Sequence, residues 1–146
     1  MREGEGPILL NVPEAGKVRP GTRKKVSFQP TKEELRAYPE VLGIQDVFAE
    51  IFYVGEYNQN VGVRLILKGK ATVLRPKASR SMVFAFHNEA ELSLDYGEPR
   101  YSTYPISAEG TTDLKKPFLD LLYDCLDDRL RTVKVKRTKD GIQVVE

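Results

Sequence analysis

Few residues in this chain have types and spacing suited to covalent chemistry. His87 is the only histidine and Cys125 the only cysteine. His87 follows Phe86 at the end of an apolar run, where it could act as a base for Ser79, Ser81 or Cys125. No spacing among them imposes that arrangement, because a nucleophile and its base are defined by geometry. Cys125 falls on the apolar stripe of a helical segment and reads as a small buried hydrophobe. Asp127 and Asp128 form the most evident carboxylate pair, but adjacent helical residues point about 100° apart and do not face each other. A single cysteine excludes an intramolecular disulfide framework and a cysteine-rich zinc site, and a single histidine excludes a histidine-rich metal site. Glycine-rich phosphate loops and GxGxxG are absent from the sequence. The expectation is a protein that is not an enzyme and has no cofactor or metal.

Binding chemistry is better represented. The net charge is only +2, yet the charges are segregated. One acid-free basic stretch holds Lys17, Arg19, Arg23, Lys24 and Lys25. A second holds Arg64, Lys68, Lys70, Arg75, Lys77 and Arg80, and a third runs from Arg129 to Lys139. Residues 89–128 are the reverse, with acids dominating over Arg100, Lys115 and Lys116. Such a distribution can fold into a basic face and an acidic face. Phosphate contacts need Lys and Arg, and single-stranded RNA also uses exposed aromatic rings, which Tyr96, Tyr101 and Tyr104 could supply from one loop.

The elements that would position these residues are mostly strands. A chain of 146 residues with 40% apolar and 30% charged residues fits one domain, taken as residues 1–146, with a core of its own. Residues 8–12 and 24–28 read as short strands, separated by a loop rich in Pro and Gly. Thr31 and Glu34 form a capping-box pattern that predicts a short helix ending before Pro39. Residues 46–54 place Val47, Ala49, Ile51 and Tyr53 on one face and Phe48, Phe52 and Val54 on the other, the pattern of a central strand. Residues 61–67 alternate, with Val61, Val63, Leu65 and Leu67 on one side, and pair with the preceding strand as a hairpin. Lys68-Gly69-Lys70 reads as a turn or bulge, and residues 82–86 and 89–96 read as two further strands. Residues 97–110 form a long loop. Leu114, Phe118, Leu121, Leu122, Cys125 and Leu126 recur at helical spacing, with Pro117 in the first turn. Strands at 133–135 and 142–145 flank an Asp-Gly hairpin turn. The predicted class is α+β, a mainly antiparallel sheet or partly open barrel with one long C-terminal helix and one short N-terminal helix. No apolar run has the length of a membrane span, and the first residues lack the basic start and apolar stretch of a signal peptide, so a cytoplasmic protein with no membrane association is expected.

The segment Ala78-Ser79-Arg80-Ser81-Met82 resembles a degenerate form of the Cys-Ser-Arg-Cys-Leu motif of the YceD family, the large ribosomal RNA subunit accumulation proteins. A glycine-bearing strand before it (Leu67 to Ala71), a strand after it (Val83 to Phe86) and Asp113-Leu114 opening an apolar helix are similar in kind and position to that family. Ala78 and Ser81 stand where the family has cysteines, so no metal or thiol role of those cysteines can operate here. The resemblance implies participation in large-subunit ribosomal RNA accumulation or ribosome assembly. Taken with the acid-free basic stretch around the segment, the expectation is a non-catalytic ribosome-biogenesis factor that binds ribosomal RNA or a ribosome-assembly protein. The expected contacts are Arg64, Lys68, Lys70, Arg75, Lys77, Ser79, Arg80 and Ser81, with Arg80 foremost. Two other readings fit the residues. One is a protein-interaction adaptor using the acidic helix face at Asp120, Asp124 and Asp127. The other is a small β-barrel holding a ligand under a lid formed by residues 96–104.

Overall fold

The computed structural model describes residues 4–14, 16–57, 60–75, 80–96, 103–130, 134–138 and 141–145. The chain order is β1 (Leu9–Asn11), β2 (Arg23–Val26), β3 (Val41–Tyr57), β4 (Asn60–Arg75), β5 (Arg80–Asp95), β6 (Thr103–Pro105), β7 (Thr111–Asp113), α1 (Lys115–Leu130), β8 (Lys134–Thr138) and β9 (Gly141–Val145). The architecture is α+β. Five strands form the main sheet in the order β2-β3-β4-β5-β6. Pairing is antiparallel from β2 to β5, and β6 adds in parallel to the last residues of β5. The sheet does not close into a barrel, so a barrel interior of the kind weighed from the sequence is not formed. Among the described residues, no helix is long and apolar enough to cross a membrane.

Alternation along β4 divides the sheet into two faces. Val61, Val63, Leu65, Leu67, Ala71 and Val73 are buried on the inner face. Leu114, just before α1, and Phe118, Leu121, Leu122 and Leu126 of α1 belong to the same core, with Ile8, Leu10, Val12 and Phe28 from the N-terminal part of the chain. The helix starts under tight local control. The Asp113 carboxylate accepts the N–H groups of both Lys115 and Ile8 at 3.0 Å, so one side chain caps α1 and ties β1 to it. Lys115 is itself buried, and its ammonium donates to the carbonyls of Gly4 at 2.9 Å and Gln29 at 3.0 Å.

The strands run longer than the sequence pattern suggests. Residues 82–86 and 89–96, read as two strands, belong to one continuous strand that ends at Asp95. Lys68-Gly69-Lys70 is neither a turn nor a bulge within its own strand, because β4 passes straight through it. The irregularity lies opposite, in β3. There the register steps from Gln45↔Lys70 to Phe48↔Lys68, so Asp46 and Val47 together face Gly69. Asp46 takes a left-handed φ of 54° at this bulge. Gly69 is required for a different reason. A Cβ there would stand 2.6 Å from Cζ of Phe86, which is buried against it. We predict that Gly69→Ala lowers stability by about 1–3 kcal/mol, the usual cost of overpacking a core, as measured by urea unfolding. An unchanged midpoint would show that the Phe86 ring can move aside.

The short N-terminal helix is not formed, although its capping box is. The Thr31 N–H donates to Glu34 Oε1 at 2.8 Å and the Glu34 N–H donates to Thr31 Oγ1 at 3.1 Å. Beyond the box the chain runs as turns, with Arg36 bonded to Glu33 and Tyr38 to Leu35, three residues back. Two causes act together. Pro39 disfavours the α region at Tyr38, and Tyr38 is committed elsewhere, stacked on Tyr123 with centroids 5.7 Å apart and donating its hydroxyl to Asp127 at 2.6 Å. Strands β8 and β9 form an antiparallel pair that closes at Thr138↔Gly141. The hairpin agrees with the Asp-Gly signal, while its turn residues Lys139 and Asp140 lie outside the described residues.

Candidate nucleic-acid interface

The outer face of the main sheet carries the residues best placed to bind. The register aligns them in three rows across the strands. Arg23, Phe52, Arg64 and Glu91 make one row, and Lys25, Glu50, Ile66 and Glu89 the next. Phe48, Lys68 and His87 make the third. The rows surround a depression of about 310 Å³ lined by Phe48, Glu50, Phe52 and Ile66 among others. That volume is at the small end of ligand sites, which begin near ~300 Å³.

Charges on this face fall into two groups. Glu50 and Glu91 are matched, because Arg23 Nη1 lies 2.7 Å from Glu50 Oε1 and Arg64 Nη2 lies 2.6 Å from Glu91 Oε1. The hydrogen bond and charge of Glu91, with a smaller contribution from Glu89, hold the Arg64 guanidinium pKa above its ordinary value. Lys70 lies 3.7 Å from Asp46. Lys25 and Lys68 are exposed and make no ion pair among the described residues. Their ammonium groups instead bracket one ring, at 5.3 Å and 5.7 Å from the centroid of Phe48. Contacts of this kind at exposed sites are worth about 0.5–1 kcal/mol, so a phosphate can draw either lysine away from the ring. Phe48 is thus a half-buried aromatic surface between two cations that form no ion pair among the described residues.

The predicted contacts divide accordingly. Arg64, Lys68 and Lys70 share the outer face of β4, alternating with the buried core residues. Ser81 pairs with Leu74 and extends that face at the start of β5, whereas Arg80 alternates to the other side. Lys77, Ser79 and the rest of residues 76–79 lie outside the described residues, as does the side chain of Arg75. Two functional elements were not singled out from the sequence. Arg23 and Lys25 read from the sequence only as part of a basic stretch, Lys25 within the strand expected at 24–28, and Phe48 and Phe52 read as the second apolar face of a central strand. The available signal was Glu50, a carboxylate between two phenylalanines on one face of a strand.

Two of the tyrosines considered for base stacking are engaged with the core. Tyr96 and Tyr104 are partly buried against the core, and the Tyr96 hydroxyl donates to the carbonyl of Pro13. Tyr101 lies outside the described residues.

Among the described residues, the candidate base His87 and Ser81 are not brought together, and Ser79 lies outside them. His87 sits on the outer face with Nε2 3.7 Å from Glu89 Oε1. Ser81 is six residues along the same strand, roughly 20 Å away at the strand rise. Cys125 is on α1, behind the sheet; burial first, then the charges of Asp124 and Asp128, raise its thiol pKa, opposed by a backbone hydrogen bond from His87. A thiol held protonated is a poor nucleophile. On the far side of α1, Asp120 and Asp124 are exposed, while Asp127 accepts the Tyr38 hydroxyl. No family model matches the chain, and neither a curated protein nor a solved structure matches it.

Proposed function

We propose that this protein is a non-catalytic factor that binds single-stranded RNA on the open face of its sheet. The observation that carries the reading is Phe48, presented between Lys25 and Lys68 with Arg64 and Lys70 on the same face. Single strands are bound by rings that stack on bases beside cations that neutralise phosphates, and this face has both. A double helix hides its base faces and would leave Phe48 without a partner. The likeness of residues 78–82 to the YceD motif supports large-subunit ribosomal RNA as the target and a role in its accumulation. In this reading Lys25, Lys68, Lys70 and Arg64 are the main phosphate contacts. Ser81, opposite Leu74 on the same outer face, extends this surface at the start of β5.

The test is Phe48→Ala against a fluorescent single-stranded RNA oligonucleotide. Loss of one stacked base lowers affinity by about 1–3 kcal/mol, roughly 5- to 150-fold. Phe48 is only half buried, so far-ultraviolet circular dichroism should stay unchanged. An equal isotherm for the variant and the parent would remove Phe48 from the site and this function with it.

A further inference from the structure

The outer face holds more than a stacking ring and cations. Glu50 projects between Phe48 and Phe52 on β3, and its side chain is only 9% exposed. Ile66 lies beside it on β4, followed by Glu89 on β5, so one row runs carboxylate, apolar floor, carboxylate. Non-specific binding to phosphates gains nothing from acids, since they repel the backbone. Arg23 balances the charge of Glu50 at Oε1 but leaves Oε2 without a hydrogen bond among those described, at the centre of a face otherwise rich in cations, where a ligand can offer it donors.

We infer that this depression reads guanine in a single strand, with Glu50 accepting from the base while Phe48 stacks on it. The inference rests on the RNA-binding reading above. An ionised carboxylate only accepts hydrogen bonds, and its two oxygens together have about four lone-pair positions. Arg23 takes one of them at Oε1 and, among the described hydrogen bonds, is the only donor to Glu50. Guanine presents N1–H and N2–H side by side on its Watson–Crick edge, two donors that one carboxylate can accept together. Adenine and cytosine each offer a single amino group beside a ring-nitrogen acceptor, and uracil offers one N–H between two carbonyls. Those acceptors would face the carboxylate at close range. Glu50 stands two residues from Phe48 along the strand, roughly 7 Å, so a base stacked on that ring can turn its edge toward Oε2. Only an unpaired base has this edge free, which fits a single strand. The Arg23 guanidinium, 4.9 Å from the Phe52 ring centroid and 2.7 Å from Glu50 Oε1, holds the carboxylate in place.

The experiment measures anisotropy with uridine oligomers carrying one central guanosine, inosine, adenosine or cytidine. Inosine lacks only the N2 amine. The expected result is that the guanosine oligomer binds the unaltered protein about tenfold tighter than the inosine, adenosine or cytidine oligomers. Glu50→Gln should remove that preference while keeping salt-dependent binding. The inosine comparison needs no variant, so it decides the matter even if Glu50→Gln disturbs the fold. Equal binding of all four oligomers, still weakened by salt, would overturn the guanine inference and leave RNA binding standing. No binding of any oligomer would overturn RNA binding and the inference together.

Discussion

Exchanging Lys25 and Lys68 together for glutamate weakens single-stranded RNA binding about 100-fold at near-physiological salt, while the unfolding midpoint stays close to that of the parent. Two phosphate contacts are lost and two like charges are set against the strand, so the change in local charge is larger than in any single substitution on this face. The effect is confined to binding because both lysines are exposed and form no ion pair among the described residues. Their contacts with the Phe48 ring contribute little to folding. Arg64 is a poorer choice for this test, since its removal also strands Glu91 at a 2.6 Å ion pair. A double variant that binds as the parent does would place the RNA elsewhere.

Lys115→Met lowers stability by about 2–4 kcal/mol, the largest folding effect expected of any substitution of a polar side chain here. Methionine keeps the length and most of the volume of lysine but removes its charge and its donors. The carbonyls of Gly4 and Gln29 lose their hydrogen bonds, Glu34 loses a cation 3.7 Å away, and the Phe28 ring loses the ammonium 4.9 Å from its centroid. Lys115 is the point where the first turn of α1 holds the N-terminal segment and the segment after β2 at once. A urea midpoint lowered by less than the equivalent of about 1 kcal/mol would show that water replaces these bonds at little cost. RNA affinity measured well below the transition should be unaffected, because Lys115 belongs to the buried side of the sheet.

The regular part of the fold was legible because its signals are periodic. Val61, Val63, Leu65 and Leu67 alternate without interruption, and Leu114 to Leu126 keep helical spacing, so both elements lie where the pattern puts them. Gly69 misled because glycine in a strand marks either an irregularity or a close approach. The approach here comes from Phe86, a residue of another strand that local sequence cannot identify. The capping box at Thr31 and Glu34 gave correct hydrogen bonds and the wrong element, since tertiary contacts of Tyr38 override a short helical preference. The candidate site was half legible. Arg64, Lys68 and Lys70 could be placed on one face by counting in twos, but the register that brings Lys25 from β2 beside Phe48 is a long-range property. The bulge at Asp46, which re-phases β3 so that Phe48 and Lys68 share a face, has no signature in the residues themselves.

The most direct test of an RNA-binding face is the salt dependence of single-stranded RNA affinity for the unaltered protein and for the Lys25→Glu, Lys68→Glu variant. With three to five cations on phosphates, log K should fall against log salt with a slope of about −2 to −3.5 for the parent, and the slope should shrink by about 1.4 in the variant. Binding that is absent, or flat with salt, or equally steep in both proteins, would contradict the account.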